Sequence, residues 1–425
     1  MKRFLILIFI LALAIRLSAQ DTLTIDYCYG QAEKNYPLAE QTGLFESSSN
    51  LRIKNLNKNY LPTMNLNGSA SLQSDVTSVS LNLPKTFPAI SFPSPDKDQY
   101  KLSLDVNQSI YDGNVTSYQK KLEKFNLQAD QKNVQIQLYQ LKDQVNQLFF
   151  TLFLLQENER LLKNSRGTIE IKLKEIRSAV SNGTQLQSSA DALDAELIQI
   201  DQQLQGIATD RRSTFRMLSE LISVPVNEAA VLKLPDISIT AFTYENRRPE
   251  NDLYDVQQGK TSLMKSMVSS KWNPKLVAFG QVGYGKPGFN MLSNDFTTFW
   301  IFGGKLTWNF WNWNQNRNEK RVYDIQNQII STQKESFDKN LRIAAERNLA
   351  EIVKLTDILA TDDTLIGLRS RIARTASSQV DNGVITSSDY VSRFNEEVQA
   401  RLNKELHRIQ LVKAKLNYLF TIGKL

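Results

Sequence analysis

The chain has 425 residues, a formal net charge of +7 and 41% hydrophobic residues, but only one cysteine and one histidine. One of each excludes an internal disulfide framework and a Cys/His zinc site. A Ser-His-Asp arrangement would have to use His407, which sits between Leu406 and Ile409 in a heptad-like segment, where a solvated helix position accounts for it. The charges are dispersed without a basic cluster, so nucleic-acid binding has no support.

The chain opens with the layout of a secretory signal. Lys2 and Arg3 precede an apolar run from Phe4 to Ile15, followed by Leu17-Ser18-Ala19, so residues 1–19 read as a signal peptide cut after Ala19. That segment holds Lys2, Arg3 and Arg16 and no acid, which leaves the mature chain at +4. Cys28 lies too far beyond the cut to carry a lipid anchor. No mature segment supplies eighteen or more consecutive apolar residues, so no transmembrane helix is expected.

Beyond the signal the chain repeats itself. Val180-Ser181-Asn182-Gly183 returns as Val380-Asp381-Asn382-Gly383, and Tyr111-Asp112-Gly113-Asn114 has its counterpart in Trp311-Asn312-Trp313-Asn314. Tyr60-Leu61-Pro62 and Trp272-Asn273-Pro274 each stand before a strand-like run. Two copies of one supersecondary unit follow, residues 20–224 and 255–425, joined by a connecting (equatorial) segment at 225–254 that holds Pro225, Pro235 and Pro249.

Each copy contains two runs of period two. Strands are expected at about 63–73 and 100–110, where Met64, Leu66, Leu102, Leu104 and Val106 alternate with Asn65, Asn67, Lys101, Ser103 and Asp105. In the second copy they are expected at about 275–285 and 298–310, where Trp300, Phe302, Leu306, Trp308 and Phe310 alternate with Ile301, Gly303, Lys305 and Thr307. The 275–285 run alternates poorly, since Val277 and Phe279 fall on the expected polar face. Runs of about ten residues suit a membrane β-barrel, apolar toward lipid and polar toward a lumen. A soluble sheet with one wet face produces the same alternation. Tyr60, Tyr111, Trp272, Trp308 and Trp311 gather at one end of the strands as an interfacial girdle would, with Leu66, Leu104, Phe302 and Leu306 facing lipid.

Long helices come next. From 114 to 180 there is no proline, and apolar residues from Leu138 through Leu152 and Ile169 to Val180 hold a 3/4 spacing broken only by Glu159 and Arg166. Such a helix is about 100 Å long. A second long helix is expected at about 314–380, and returning helices at about 185–222 and 386–422, after Asn-Gly turns suited to left-handed helix ends. Two phosphate-loop patterns near Gly280–Gly288 are rejected, because the first leads through Pro287 and Asn290 into another strand run rather than a helix and in the second Pro287 replaces the required Ser or Thr. Acidic pairs such as Asp191 with Asp194 read as solvated helix faces, and no catalytic, cofactor or metal site emerges.

Together these features resemble the TolC-like outer-membrane efflux protein family. The likeness rests on the doubled strand-strand-long helix-turn-helix unit, on Pro62 and Pro274 opening strands, and on Asn182-Gly183 and Asn382-Gly383 at the helix turns. It implies a mainly α protein with membrane β, in which three copies give twelve strands closed as one barrel, continued by a helical barrel in the periplasm. Physics supports closure, because an open sheet edge in lipid leaves backbone groups unpaired and four strands cannot close alone. The implied role is a passive exit duct in the outer membrane, docking on a periplasmic adaptor (membrane fusion protein) and an inner-membrane transporter, for efflux or type I secretion. The resemblance places adaptor contact at Val180, Asn182, Gly183, Thr184, Val380, Asn382, Gly383 and Val384. It matches Asp389 to one acidic position of a pore constriction, whereas the second such position is Ser392 here. Asp389 reads equally as a helix-dipole charge after a Ser387 or Ser388 N-cap. The rival function is a non-conducting coiled-coil envelope scaffold or adhesin.

Overall fold

The computed structural model describes residues 22–78, 94–238 and 242–425. The expected signal segment, 1–19, lies outside the described residues. In chain order the elements are β1 (Thr22–Leu23), α1 (Ile25–Asn35), α2 (Gln41–Asn57), β2 (Thr63–Leu72), β3 (Asp98–Tyr111), α3 (Val115–Ser181), α4 (Gln187–Ile222), β4 (Val231–Leu232), α5 (Pro249–Ser270), β5 (Lys275–Lys286), β6 (Thr297–Thr307), α6 (Gln315–Asp381) and α7 (Ser387–Ile422). Helix dominates. The helices α3 and α6 have 67 residues each, and α4 and α7 have 36 each.

The described residues fall into two units. The first comprises 22–42, 132–252 and 334–425 and holds the apolar cores. Thr24 caps α1 by accepting from the Tyr27 N–H at 3.3 Å. The helix then buries Ile25, Cys28, Tyr29 and Ala32 at 3/4 spacing, against Val145, Phe149 and Leu152 of α3 and Phe215, Leu218 and Ile222 of α4. Each fully buried side chain of this size contributes about 1.5–3 kcal/mol. Burial pushes the Cys28 thiol up to about 12, which makes it inert packing. The Tyr29 hydroxyl donates to Asn146 Oδ1 deep in the same core. β1 pairs in parallel with β4, so the connecting segment carries a small element of its own.

The heptad seam of α3 packs as its spacing dictates, with Leu162, Ile169, Leu173 and Ile176 against Leu193 and Ile200 of α4 and Val380, Tyr390 and Phe394 of the other helix pair. The two polar interruptions of that seam each make an ion pair to α4, as Arg177 does with Asp194 at 2.8 Å. Glu159 meets Arg211 at 3.2 Å, and Arg166 meets Asp201 at 2.7 Å. His407 is not a free solvated position. Its Nδ1 lies 2.9 Å from Asp362 Oδ2, and Asp362 is buried.

The second unit comprises 43–131 and 253–333 and is built on a four-stranded antiparallel sheet in the order β2-β3-β5-β6. Strand β6 stops at Thr307, short of the expected 310. Its last ladder partner is Lys275, and the residue before that is Pro274, which has no N–H to donate. Trp308 leaves the ladder and instead donates its indole N–H to the Trp272 carbonyl at 2.9 Å. Gly283 and Gly285, part of the rejected phosphate-loop pattern, lie inside β5.

Candidate functional site

Pairing register settles the two faces of the sheet. Leu66, Leu104, Val282 and Trp300 are successive Cα partners across the strands, and so are Met64, Val106, Gly280 and Phe302. Directly opposed residues project to one side. Leu66, Leu104, Phe302 and Leu306 therefore share one apolar face, and all four are exposed. The other face carries Asn65, Asp105, Gln281 and Ile301 in one row and Asn67, Ser103, Gly283 and Phe299 in the next. There Gln281 donates to Asp105 at 2.6 Å, Asn67 also donates to Asp105, and Lys101 donates to Gln281 at 3.2 Å.

The poor alternation of β5 has a steric cause. Phe279 and Phe299 lie on the polar face because each ring covers a glycine of the adjacent strand, Gly303 and Gly283 respectively, and a Cβ at either glycine would run into the ring. On the same face Ser103 is 3% exposed although sequence alternation places it with the wet residues.

Aromatic side chains bound the apolar face at both ends. Tyr60, Tyr111, Trp272, Trp308 and Trp311 stand at the end from which α3 and α6 depart, and the Tyr60 hydroxyl donates to Asp112 at 3.0 Å. Tyr111 reaches that belt through a β-bulge. The ladder slips between Ser109 and Tyr111, so that Tyr111 pairs with Leu276 on the apolar face rather than pointing to the polar one. At the opposite end Tyr284 and Tyr100 stack on Phe296, with ring centroids 5.5 and 6.1 Å apart. This second belt was legible only as scattered aromatics. From Tyr100 to Tyr111 the strand climbs about 28 Å along a barrel axis at ordinary rise and tilt, close to the roughly 25 Å apolar band of an outer-membrane barrel.

In the first unit the long helices turn at Asn182-Gly183 and Asn382-Gly383. Both glycines have left-handed backbones, φ 73° and 68°. Each turn closes with the same two bonds: Gly183 N–H to Val180 O and Thr184 N–H to Ala179 O, both 2.9 Å; Gly383 N–H to Val380 O at 3.0 Å and Val384 N–H to Gln379 O at 2.8 Å. The turns touch one another, since Gln185 Nε2 donates to Val380 O at 2.9 Å. Asn182, Gly183, Thr184, Asn382, Gly383 and Val384 are exposed, whereas Val380 is buried and belongs to the packing between turns. Leu186, one residue before α4, is 74% exposed at the tip.

The return helices start differently. The N-cap of α7 is Thr386, not Ser387 or Ser388: Thr386 Oγ1 accepts from Asp389 N–H at 3.1 Å, and Asp389 Oδ2 accepts from Thr386 N–H at 3.1 Å. The preceding turn fixes where the helix begins, one residue before the serines, and Ser387 is left buried. The side-chain and backbone bonds from Thr386 hold the Asp389 carboxyl below its ordinary range. Asp389 and Ser392 are both exposed. The corresponding position of α4 is Leu186, which makes no cap bond. Close by, Lys172 of α3 is nearly buried, with its ammonium 2.5 Å from Asp381 and 3.2 Å from Glu175 and over the Tyr390 ring at 5.8 Å. Burial pushes the Tyr390 hydroxyl up to about 12, so it stays neutral there.

An open four-stranded amphipathic sheet, aromatic at both ends, on a chain of two very long helix pairs is the TolC-like outer-membrane channel fold. Among solved structures the chain is similar to the outer-membrane protein VceC of Vibrio cholerae, at 11% identity and TM-score 0.66 over 94% of this chain and 96% of that one. It is similar also to CusC, at 10% identity and TM-score 0.67 over 94% and 91%, and to the open state of the MtrE outer-membrane channel of Neisseria gonorrhoeae, at 16% identity and TM-score 0.63 over 94% and 89%. At these identities the likeness is one of fold. No protein-family model matches the chain, and no curated protein matches it by sequence.

Proposed function

We propose that the chain is a subunit of an outer-membrane channel, a passive exit duct serving a tripartite efflux or type I secretion system. Three copies close their sheets into one barrel of twelve strands, and the long helices continue the duct in the periplasm. The observation that carries this reading is the sheet itself. Its edge strands β2 and β6 are exposed, and its apolar face is bounded at both ends by aromatic side chains. In lipid such a sheet must close, and four strands are too few. Leu66, Leu104, Phe302 and Leu306 then face lipid. The exposed turn residues Asn182 to Thr184 and Asn382 to Val384 are the docking points for a periplasmic adaptor, behind which stands an inner-membrane transporter. Asp389 contributes a charge at the periplasmic tip beside the neutral Ser392.

The test is fractionation followed by electrophysiology. The protein is expected with the outer membrane, as a detergent-resistant trimer that gives discrete conductance steps in a planar bilayer. Recovery as a soluble periplasmic monomer overturns the reading, and an outer-membrane trimer without conductance leaves only a scaffold.

A further inference from the structure

The polar face of the sheet has a definite sign. Its charged residues are Lys101 on β3, Lys275 on β5, Lys305 on β6 and Asp105 on β3, as the alternation and the pairs Lys101 with Gly285, Lys275 with Thr307, Val277 with Lys305 and Asp105 with Gln281 require. Thus three cations stand against one anion in each chain. Asp105 is bonded by neutral amides, Gln281 at 2.6 Å and Asn67, and offsets its neighbours by charge alone. Lys101 donates to the neutral Gln281 at 3.2 Å and lies 5.0 Å over the Phe299 ring, so its charge is not cancelled by contact. Lys275 and Lys305 are exposed and meet no acidic side chain within ion-pair distance among the described residues. Both sit at the end of the sheet next to the Trp272 and Trp308 belt.

We infer that the lumen of the barrel is an anion-preferring passage, in which Lys101, Lys275 and Lys305 select for solutes bearing negative charge. This rests on the channel reading. Three copies carry a net excess of about six positive charges on one water-facing wall, since each contributes three lysines against one aspartate. Twelve strands at ordinary spacing and tilt give a backbone radius of about 12 Å, and side chains reduce the open radius to roughly 7 Å. That is shorter than the screening length of about 10 Å at 0.1 M salt and longer than the roughly 3 Å at 1 M. The field of the lysines therefore reaches the axis at low salt and is screened from it at high salt. Low-dielectric walls of lipid and protein strengthen the effect by focusing the field into the passage.

The measurement is the reversal potential of single trimers under a potassium chloride gradient, in the Asp389→Asn background so that the tip carboxylates do not contribute. Chloride is expected to pass at about threefold or more the rate of potassium near 0.1 M, with the preference fading toward 1 M. Combined Lys101→Gln, Lys275→Gln and Lys305→Gln should bring the ratio to unity or below. Asp105→Asn, which leaves the lysines in place, should raise it, and serves alone if the triple variant does not assemble. Channels that conduct but prefer cations, or whose ratio ignores these substitutions, overturn the inference while leaving the duct intact. A trimer with no conductance overturns the channel reading instead.

Discussion

Arginine at Leu104 is expected to be costly, and the sheet geometry says by how much. Leu104 stands four residues from Tyr100 and seven from Tyr111 along β3. With ordinary strand rise and barrel tilt these steps correspond to depths of about 10 Å and 18 Å from the two aromatic belts, which places Leu104 near the middle of the apolar band. An arginine on the lipid face at that depth costs about 2–4 kcal/mol, and near the interface about 0–1 kcal/mol. Leu104→Arg should therefore lose about 2–4 kcal/mol in urea titrations of protein refolded into lipid vesicles, and Tyr100→Arg much less. Asn67→Arg is the control on the opposite face. Asn67 is exposed, and its Cα partner Ser103 belongs to the polar row. Ser103 itself is unsuitable, because it is buried. Equal losses at Leu104 and Asn67 refute the assignment of faces, and with it the barrel.

Three further predictions concern the helix tips. Thr386→Ala removes the cap of α7 and should cost about 1 kcal/mol locally, read as roughly fivefold faster hydrogen exchange in the first turn, whereas Leu186→Thr should protect the uncapped start of α4. Because the Asp389 carboxyl is held below its ordinary range in the folded state, its contribution to the cap is present at neutral pH. It is lost as pH falls through and below the usual carboxylate range, so protection in that turn, measured against the intrinsic exchange rate at each pH, should fall in acid and that of the α4 turn should not follow. Lys172→Met should lower thermal stability by about 1–2 kcal/mol, less than for a fully buried pair, because Asp381 and Glu175 are about half exposed and water relieves them. No change in melting temperature would show that the Lys172 contacts are incidental.

The parts of this fold that sequence reveals are those in which period alone decides the structure. Alternation marks the strands, heptad spacing marks the long helices, and Asn-Gly marks turns whose glycines are left-handed. Other elements leave no such trace. Helix α2 has almost no apolar stripe and buries only Ser49. Helix α5 starts on Pro249, which reads as a break in a connecting segment and equally as the first residue of a helix. Cross-strand causes are invisible along one strand: Phe279 looks misplaced until Gly303 is seen beneath it, and Tyr111 looks lumenal until the bulge turns it. The Lys172 contact with Asp381 joins helices 209 positions apart, beyond any local spacing rule. Leu186 at the tip is the counterpart of Thr386, and only the cap geometry shows that one start is closed and the other open.

The two open edges also constrain how copies of the chain would join. A slip of one residue between β6 and a neighbour's β2 would reverse every side chain of one strand relative to the other, so only even shifts keep lipid and lumen faces continuous. Size then discriminates among the even shifts. Within the chain the Phe302 ring already lies over Gly280, its cross-strand partner. Setting Thr307 opposite the neighbour's Thr63 repeats that scheme across the interface, bringing Phe302 opposite Gly68, Trp300 opposite Ala70, and Leu66 opposite Gly304. A shift of two residues would instead put Phe302 against Leu66 or Ala70. In the favoured register Ser69 stands opposite Ile301 on the lumen face, with Cβ atoms about 5 Å apart. Ser69→Cys combined with Ile301→Cys should therefore form a disulfide between copies on mild oxidation, giving a covalent trimer ladder in denaturing gels. Cys28 will not compete, because it is fully buried and its thiol is held protonated. Ser69→Cys paired with Gly303→Cys or with Phe299→Cys tests the neighbouring registers. Faster linking in either of those pairs would show that barrel shear, rather than the fit of rings over small residues, sets the seam.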